Sequence, residues 1–265
     1  MKAVILAGGE GARLRPLTYS IPKPLLPIGR KPILEIIIER LREHGFTDII
    51  LNVGYKAELI EAYFRDGSSL NVKITYFRED SPCGTCGPVK LVEHLLDGQP
   101  FVTMNGDLLT DLDFGEMCQA HLDMSAELTM ATKAYTVTLP YGVIDMQDSK
   151  IALIREKPRL EFLINAGVYV ISPSALDVVP EGEFFDMTDL IQTLADQGRK
   201  VETYYIDGEW QDLGTMESYE EANILYLEEM QGHSVSHIGA EASALNPSVD
   251  GRTGHLRRLR TPLPH

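Results

Sequence analysis

Chemistry first suggests itself in this 265-residue chain where glycines give way to isolated cations. Gly8, Gly9 and Gly11 follow an apolar segment, and Arg13, Arg15 and Lys23 follow the glycines. Glycines let backbone N–H groups approach a phosphate chain closely, and successive N–H groups form an anion nest. Arg13 adds a planar fork for phosphate oxygens. Lys23 stands between Pro22 and Pro24, which preset its direction and predict an extended backbone there. The spacing is neither G-x-x-x-x-G-K-[ST] nor G-x-G-x-x-G, so neither of those phosphate-binding fingerprints applies. Three further places hold chemistry-bearing side chains. Asp107 follows Asn105-Gly106, and by itself reads as a site carboxylate or a turn residue. Asp212, in Trp210-Gln211-Asp212-Leu213-Gly214, reads as a site carboxylate or as one of many acids. Glu156-Lys157-Pro158 reads as an anion-handling motif or an exposed charge pair in a turn.

These residues need elements to hold them. Ala3 to Ala7 is an uninterrupted apolar run, as expected of a strand buried on both faces, and it feeds directly into the glycines. Residues 9–32 contain too many Gly and Pro residues for any long regular element, and a loop of that length in a compact domain is usually functional. Helices are predicted at Ile33–His44, Lys56–Phe64, Val89–Leu96, Phe185–Gln197 and Tyr219–Met230. Strands are predicted at Asp48–Val53, Val72–Phe77, Pro100–Met104, Ala126–Ala134, Leu163–Ile171 and Val201–Ile206. A short pair is predicted at Gly142–Asp145 and Ile151–Ile154. Strand and helix alternate through the first half, which predicts βαβ units. The fold class is therefore α/β: a Rossmann-like, mixed but mainly parallel sheet flanked by helices. Such sheets bind ligands beyond the carboxyl ends of their strands, where both the glycine loop and Asn105-Gly106-Asp107 fall.

Charge narrows the partners. The net charge is −15, which disfavours nucleic acid and anionic membrane surfaces. It is unevenly spread. Residues 1–31 carry six cations against Glu10 alone, residues 32–232 sum to −22, and residues 233–265 sum to +2. A basic island on an acidic body is the pattern of a local anion site. Three cysteines make no disulfide framework in a chain of this size, and no apolar run reaches the ~18 residues of a membrane helix. The five apolar residues after Lys2 are too few for a signal peptide, so the expected location is cytoplasmic. The seven His residues show no metal-ligand spacing, and none is assigned to catalysis.

The chain resembles the sugar-1-phosphate nucleotidyltransferases, closest in pattern to mannose-1-phosphate guanylyltransferase-like members. The resemblance rests on LAGGEGARLRPLT and KPLLPI, then GTCGPV at 84–89, NGD at 105–107, YGVI at 141–144, EKP at 156–158, NAGVY at 165–169 and WQDLG at 210–214. It implies one nucleotidyltransferase domain over residues 1–232. Residues 233–265 are left as a tail, either disordered or a vestigial start of a left-handed β-helix, suggested by two hexapeptide-like stretches from Ile238. It implies transfer of a nucleotidyl group from an NTP to a sugar 1-phosphate with release of pyrophosphate. It implies Mg²⁺ held by Asp107 and Asp212, Arg13 on the leaving phosphates, and Lys23 at the transferred group. Leu6, Ala7, Gly8, Gly9, Gly11, Pro82 and Gly84 are implied around the nucleotide. Gly142, Glu156, Lys157 and Asn165 are implied around the sugar phosphate. A homo-oligomer, such as a dimer, is also implied.

Glu79 falls where some relatives carry Gln. A carboxylate only accepts hydrogen bonds, and guanine offers two adjacent donors, so Glu79 predicts GTP. The resemblance implies a mannose-type hexose or heptose 1-phosphate as its partner substrate. The alternatives are UTP with a glucose-type 1-phosphate, or a non-catalytic regulator that binds a nucleotide sugar. Where relatives read Leu-Gly-Thr-Ala-Gly, this chain has Cys83-Gly84-Thr85-Cys86-Gly87. That CxxC is either a redox pair, which needs a lowered thiol pKa, or two small buried side chains.

Overall fold

The structure, a computed structural model, describes residues 1–79 and 81–230. In chain order the strands are β1 (Lys2–Ala7), β2 (Pro27–Ile28), β3 (Lys31–Pro32), β4 (Asp48–Val53), β5 (Lys73–Arg78), β6 (Phe101–Asn105), β7 (Leu108–Thr110), β8 (Leu128–Thr138), β9 (Val143–Gln147), β10 (Lys150–Arg155), β11 (Arg159–Ile171), β12 (Val201–Tyr205) and β13 (Trp210–Asp212). The helices are α1 (Ile33–Glu43), α2 (Ala57–Phe64), α3 (Gly87–Leu91), α4 (Phe114–Asp123), α5 (Met187–Asp196) and α6 (Met216–Met230).

Seven strands form one sheet in the order β12-β8-β11-β6-β1-β4-β5. The neighbours β5, β4, β1 and β6 pair in parallel, and β8 pairs in parallel with β12. Strand β11 runs against both β6 and β8. The sheet is thus mixed and mainly parallel, as expected. Alternation along the strands splits the core in two. Ala3, Ile5, Ile49 and Leu51 face one core with α1, α2 and α4, while Val4, Ile50 and Phe101 face the other with α3 and α5. Both faces are covered, which is why β1 reads as an unbroken apolar run from Ala3 to Ala7 and β4 as a nearly continuous one broken by Asn52. Helix α1 buries Ile33, Leu34, Ile37, Ile38 and Leu41, the i, i+3, i+4 stripe expected of it.

Several expectations change. The helix expected at Val89–Leu96 is shorter and begins earlier. It starts at Gly87, with Pro88 in its first turn where no N–H is needed, and a separate 3₁₀ turn follows at Glu93–Leu95. Helix α4 was not anticipated. Its start is marked in the sequence by Asp113, whose side chain accepts from Glu116 N at 2.9 Å, but Gly115 weakens the local helix signal. Strands β7 and β13, at three residues each, are too short to show a period. Strands β8 and β11 run longer than expected. Their outer ends leave the sheet as a two-stranded ribbon capped by the antiparallel hairpin β9–β10. The predicted tail at 233–265 lies outside the described residues. Among the described residues no helix is long and apolar enough to cross a membrane.

Buried His121 ties α4 to the sheet. Its ring nitrogens lie 2.9 Å from Thr129 Oγ1 and 3.0 Å from Ser172 Oγ, and burial lowers its pKa. The unfolded chain therefore binds this proton more readily than the folded one. The stability that depends on neutral His121 is present above the unfolded pKa of about 6.5 and is lost as pH falls below it. Melting temperature is expected to drop from about pH 7 to pH 5.5, before ordinary carboxylates titrate. In His121→Asn that slope should flatten, whatever the absolute melting temperature. An unchanged slope in differential scanning calorimetry would refute this.

Candidate active site

The parallel pairing of β1 with β6 sets two loops side by side at the carboxyl edge of the sheet. Leu6 pairs with Asn105, and Gly106 N donates to Leu6 O at 2.8 Å. The loop after β1 therefore starts beside Asn105-Gly106-Asp107. Ala7 is buried at the end of β1, Leu6 is half-buried, and Gly9 is open to solvent. Gly8 O accepts from Tyr55 N at 3.1 Å, which joins the loop to the end of β4. Gly11 has φ +62°, and a Cβ there would come within 2.9 Å of Thr18 Cγ2 and 3.1 Å of Lys23 Cβ. Only glycine suits that backbone and that space. Thr18 Oγ1 donates to Gly11 O at 2.9 Å and closes the turn.

Lys23 is only 8% exposed, and its ammonium pairs with the Asp107 carboxylate. Its backbone departs from expectation. Pro22 is extended, but Lys23 opens a 3₁₀ turn in which Leu25 N donates to Pro22 O at 2.8 Å and Leu26 N to Lys23 O at 3.0 Å. Pro24 fits this first turn because no donor is needed from it. Asp212 arrives from β13, which pairs with β7 so that Asp212 stands opposite Leu108. Leu213 N then donates to Asp107 O at 3.0 Å. Burial raises the Asp212 pKa first and the Asp107 charge raises it further, while Lys23 and Arg13 pull it down. Asp212 as a residue remains open to solvent.

Arg13 lies exposed in the 3₁₀ turn Ala12–Leu14 and makes no ion pair among the described residues. A Cβ on Gly214 would meet Arg13 Nη2 at 2.8 Å and Asp212 Oδ1 at 3.0 Å. Gly214 therefore lets the guanidinium lie against the aspartate loop, a role that the sequence reading missed although the motif includes it. Arg15 is different. It pairs with Glu10 at 2.9 Å and lies 5.4 Å from the Tyr19 ring centroid, so it shapes the loop. Trp210 Nε1 donates to Ala166 O at 2.8 Å, which fixes β13 against β11.

A second group gathers at the ends of β4 and β5. Glu79 turns inward, accepting from Cys83 N at 2.9 Å and Asn52 Nδ2 at 3.4 Å, and a Cβ on Gly8 would lie 3.5 Å from its Oε1. Each carboxylate oxygen retains a lone pair for a further donor. Pro82 is exposed beside it. Gly84 belongs to a segment clamped onto the start of α5. Thr85 N and Oγ1 both donate to Asp186 Oδ1 (3.0 and 3.1 Å), and Cys86 N and Gly87 N both donate to Phe185 O (2.9 and 3.0 Å). Cys83 and Cys86 are buried free thiols, and burial with the charges of Asp186 and Asp189 pushes Cys86 up to about 12. A redox pair needs the opposite shift in its reactive thiol, so Cys86 does not serve as one, and both side chains are packed in the interior.

The third group lies where the ribbon meets the hairpin. A Cβ on Gly142 would be 3.1 Å from Glu156 Oε2, so these two face each other across the hairpin root. Lys157 is exposed at φ +43°, and Leu139 N donates to Pro158 O at 3.1 Å. Asn165 sits at the bulge of β11. Its Nδ2 donates to Tyr169 Oη at 2.7 Å and its Oδ1 accepts from Gly167 N at 2.9 Å. Tyr169 was not anticipated as the anchor that fixes this amide.

The match to known proteins follows the same span. The model of the family described as "Nucleotidyl transferase" matches residues 2–229. The chain is 38% identical to a UTP–glucose-1-phosphate uridylyltransferase of Synechocystis sp., over 84% of this chain and 62% of that one. It is 34% identical to a mannose-1-phosphate guanyltransferase of Schizosaccharomyces pombe, over 94% of this chain and 70% of that one. It thus spans about two thirds of the length of these relatives. Among solved structures, HddC from Yersinia pseudotuberculosis superposes with a TM-score of 0.68 at 28% identity, covering 85% of this chain and 99% of that one. The same protein complexed with GMP-PN gives a TM-score of 0.67. With a family match over nearly all described residues and relatives above 30% identity, the chain belongs to the nucleotidyl transferase family.

Proposed function

We propose that this chain transfers a nucleotidyl group from GTP to a mannose-type hexose or heptose 1-phosphate, giving a nucleotide sugar and pyrophosphate. The observation that carries the reading is the convergence of Arg13 and Lys23 on Asp107 and Asp212 at the carboxyl edge of the sheet. A sensor would have no need of that paired set of charges, which speaks against a non-catalytic regulator.

In the reaction a phosphate oxygen of the sugar phosphate bonds to the α-phosphorus. The bond from that phosphorus to the oxygen bridging the α- and β-phosphates breaks, and the electron pair leaves with pyrophosphate. The attacking phosphate is already ionised near neutrality, so no side chain has to remove a proton. What the chain must supply is alignment and charge compensation. Lys23, preset by its turn, supplies positive charge beside the transferred group. Arg13 supplies a two-pronged grip on the leaving phosphates. The glycine loop supplies N–H groups, and Glu156, Lys157, Asn165 and the Gly142 backbone hold the sugar phosphate.

Asp107 and Asp212 suit Mg²⁺. The donors are all hard oxygens, two residues leave room for phosphate and water ligands, and the mutual repulsion that raises Asp212 is what a divalent cation relieves. Bound there, Mg²⁺ would neutralise phosphate charge and orient the two reactants.

Guanine is favoured by Glu79, a carboxylate able to accept from the guanine ring N–H and amino group together. The guanyltransferase of S. pombe and the GMP-PN complex of HddC support the same base. The Synechocystis relative favours the second reading, UTP with glucose 1-phosphate.

Pyrophosphate release measured over a panel of NTPs and sugar 1-phosphates should be greatest for GTP with a mannose-type or heptose 1-phosphate. Greater turnover with UTP and glucose 1-phosphate would overturn the base assignment. Asp107→Ala should lose at least about 100-fold in kcat with the fold intact. Glu79→Gln keeps an acceptor for Cys83 N but offers guanine only one acceptor. Its kcat/KM for GTP relative to UTP should fall about tenfold or more, as expected for loss of a charged hydrogen bond. Gly214→Ala should displace Arg13 and cost about tenfold or more in kcat/KM, with melting within about 2 °C of wild type. Wild-type rates in Asp107→Ala would defeat the whole assignment.

A further inference from the structure

The loop of residues 206–209 joins β12 to β13, and every carbonyl in it has a donor. Ile206 O, Asp207 O and Gly208 O lie 3.2, 3.4 and 2.5 Å from one atom, the ammonium nitrogen of Lys133 on β8. Glu209 O accepts from Asp111 N at 3.2 Å and from Thr110 Oγ1 at 2.9 Å, both at the end of β7. The loop is also tied where it begins, since Ile206 is buried and its N donates to Thr132 O at 2.8 Å. Gly208 passes so close to Asp111 that a Cβ there would come within 2.1 Å of Oδ1. Directly after this loop come Trp210, Gln211 and Asp212, paired with Thr110, Leu109 and Leu108.

Three carbonyl oxygens turned toward one point carry like partial charges and spread apart if nothing lies between them. An ammonium presents three donors from a single nitrogen, so one lysine can hold all three. A side-chain amide has only two donors, and a guanidinium spreads its donors over a plane. Lys133 is half-buried and follows Thr132, which pairs with Tyr205, so its stem rises beside the end of β12.

We propose that Lys133 is the positioning residue for Asp212. By gathering the carbonyls of residues 206–208 it sets where β13 starts, and so where the second aspartate stands beside the first. This rests on the transferase reading, with its metal at Asp107 and Asp212. The charges that bear most on the Asp212 carboxyl are those of Asp107, Lys23 and Arg13, so Lys133 acts by placing backbone rather than by its field. Without Lys133 both carboxylates remain, but binding a divalent cation must also reorder the loop. The consequence is a weaker metal site that excess metal restores.

The test compares Lys133→Met and Lys133→Arg with Lys200→Met in the full chain. Lys200, at the other end of the β8–β12 pair, donates to Met124 O and serves as the control for a lysine that only supports backbone. Mn²⁺ binding without substrate is read by electron paramagnetic resonance, and the site is the part of that binding lost in Asp107→Ala. Pyrophosphate release is read against Mg²⁺ concentration. Lys133→Met should weaken the Mn²⁺ site and raise the Mg²⁺ needed for half-maximal rate, each about tenfold, as when the outer supports of metal ligands are removed. At saturating Mg²⁺ its kcat and its KM for the sugar 1-phosphate should return close to wild type. Lys133→Arg should fall between the two, and it carries the test if Lys133→Met does not fold. Lys200→Met should leave both metal readouts at wild type, whatever it does to melting. Unchanged metal readouts in a folded Lys133 variant overturn the proposal, as does an equal shift in Lys200→Met. A wild type that binds Mn²⁺ through Asp107 but releases no pyrophosphate overturns the transferase reading and leaves the Mn²⁺ site to decide the role of Lys133. A wild type without Asp107-dependent Mn²⁺ binding overturns the proposal outright.

Discussion

Two carboxylates held together are costly, and much of the site exists to hold Asp107 beside Asp212. Like charges disfavour each other's ionised form, which is why Asp212 is raised by its neighbour as well as by burial. The β7–β13 pairing and the bond from Leu213 N to Asp107 O hold the backbones of the two loops together. Lys23 is buried against Asp107 and offsets part of the repulsion. The prolines around Lys23 and the glycine at position 11 then follow as conditions for placing that ammonium. Gly11 leaves room for the Lys23 side chain, and the turn begun at Pro22 aims it.

On the proposed reading, the same balance lets a strongly acidic chain hold phosphate. Overall charge acts at a distance and is screened within about 10 Å at ordinary ionic strength. A nucleotide is held by a few cations within hydrogen-bonding reach. Arg13 and Lys23 stand at the edge where β1 and β6 end, and the backbone N–H groups of the glycine loop lie beside them.

The sheet was readable because its inner strands are covered on both faces, so β1, β4 and β6 appear as largely apolar segments of the right length. The helix stripes of α1 and α5 were readable for a related reason. Short or interrupted elements were not. Helix α4 contains Gly115, and β7 and β13 are three residues each, so their existence depends on tertiary pairing rather than on a local pattern. The site divided in the same way. Asp107 is foreshadowed by its strand and turn. Asp212 comes to it only through the β7–β13 pairing, which no local pattern announces, and the family resemblance alone put the two together. Glu79 was flagged by residue type, but its inward direction depends on Asn52 and on the loop at Cys83. Tyr169 and Gly214 lie in the NAGVY and WQDLG motifs, but nothing local gives either a role, because a tyrosine in a strand and a glycine in a loop have many ordinary explanations.

The substrate halves rest on supports of unequal stiffness. The proposed nucleotide half stands on the seven-stranded sheet, with both faces packed and its loops pinned by backbone bonds. The proposed sugar-phosphate half is divided between Asn165, braced by Tyr169 and the bulge of β11, and Gly142 with Glu156 and Lys157 at the root of an exposed hairpin. Alignment for in-line displacement depends on the less rigid of the two halves, because a misplaced sugar phosphate is as unproductive as a misplaced nucleotide. Selection for the sugar can therefore change through residues of the ribbon and hairpin while Arg13, Lys23, Asp107 and Asp212 stay fixed. Base selection cannot move as freely, since Glu79 braces the Cys83 loop and that loop is clamped to the start of α5. A change of base must preserve that bracing, and a change of sugar need not.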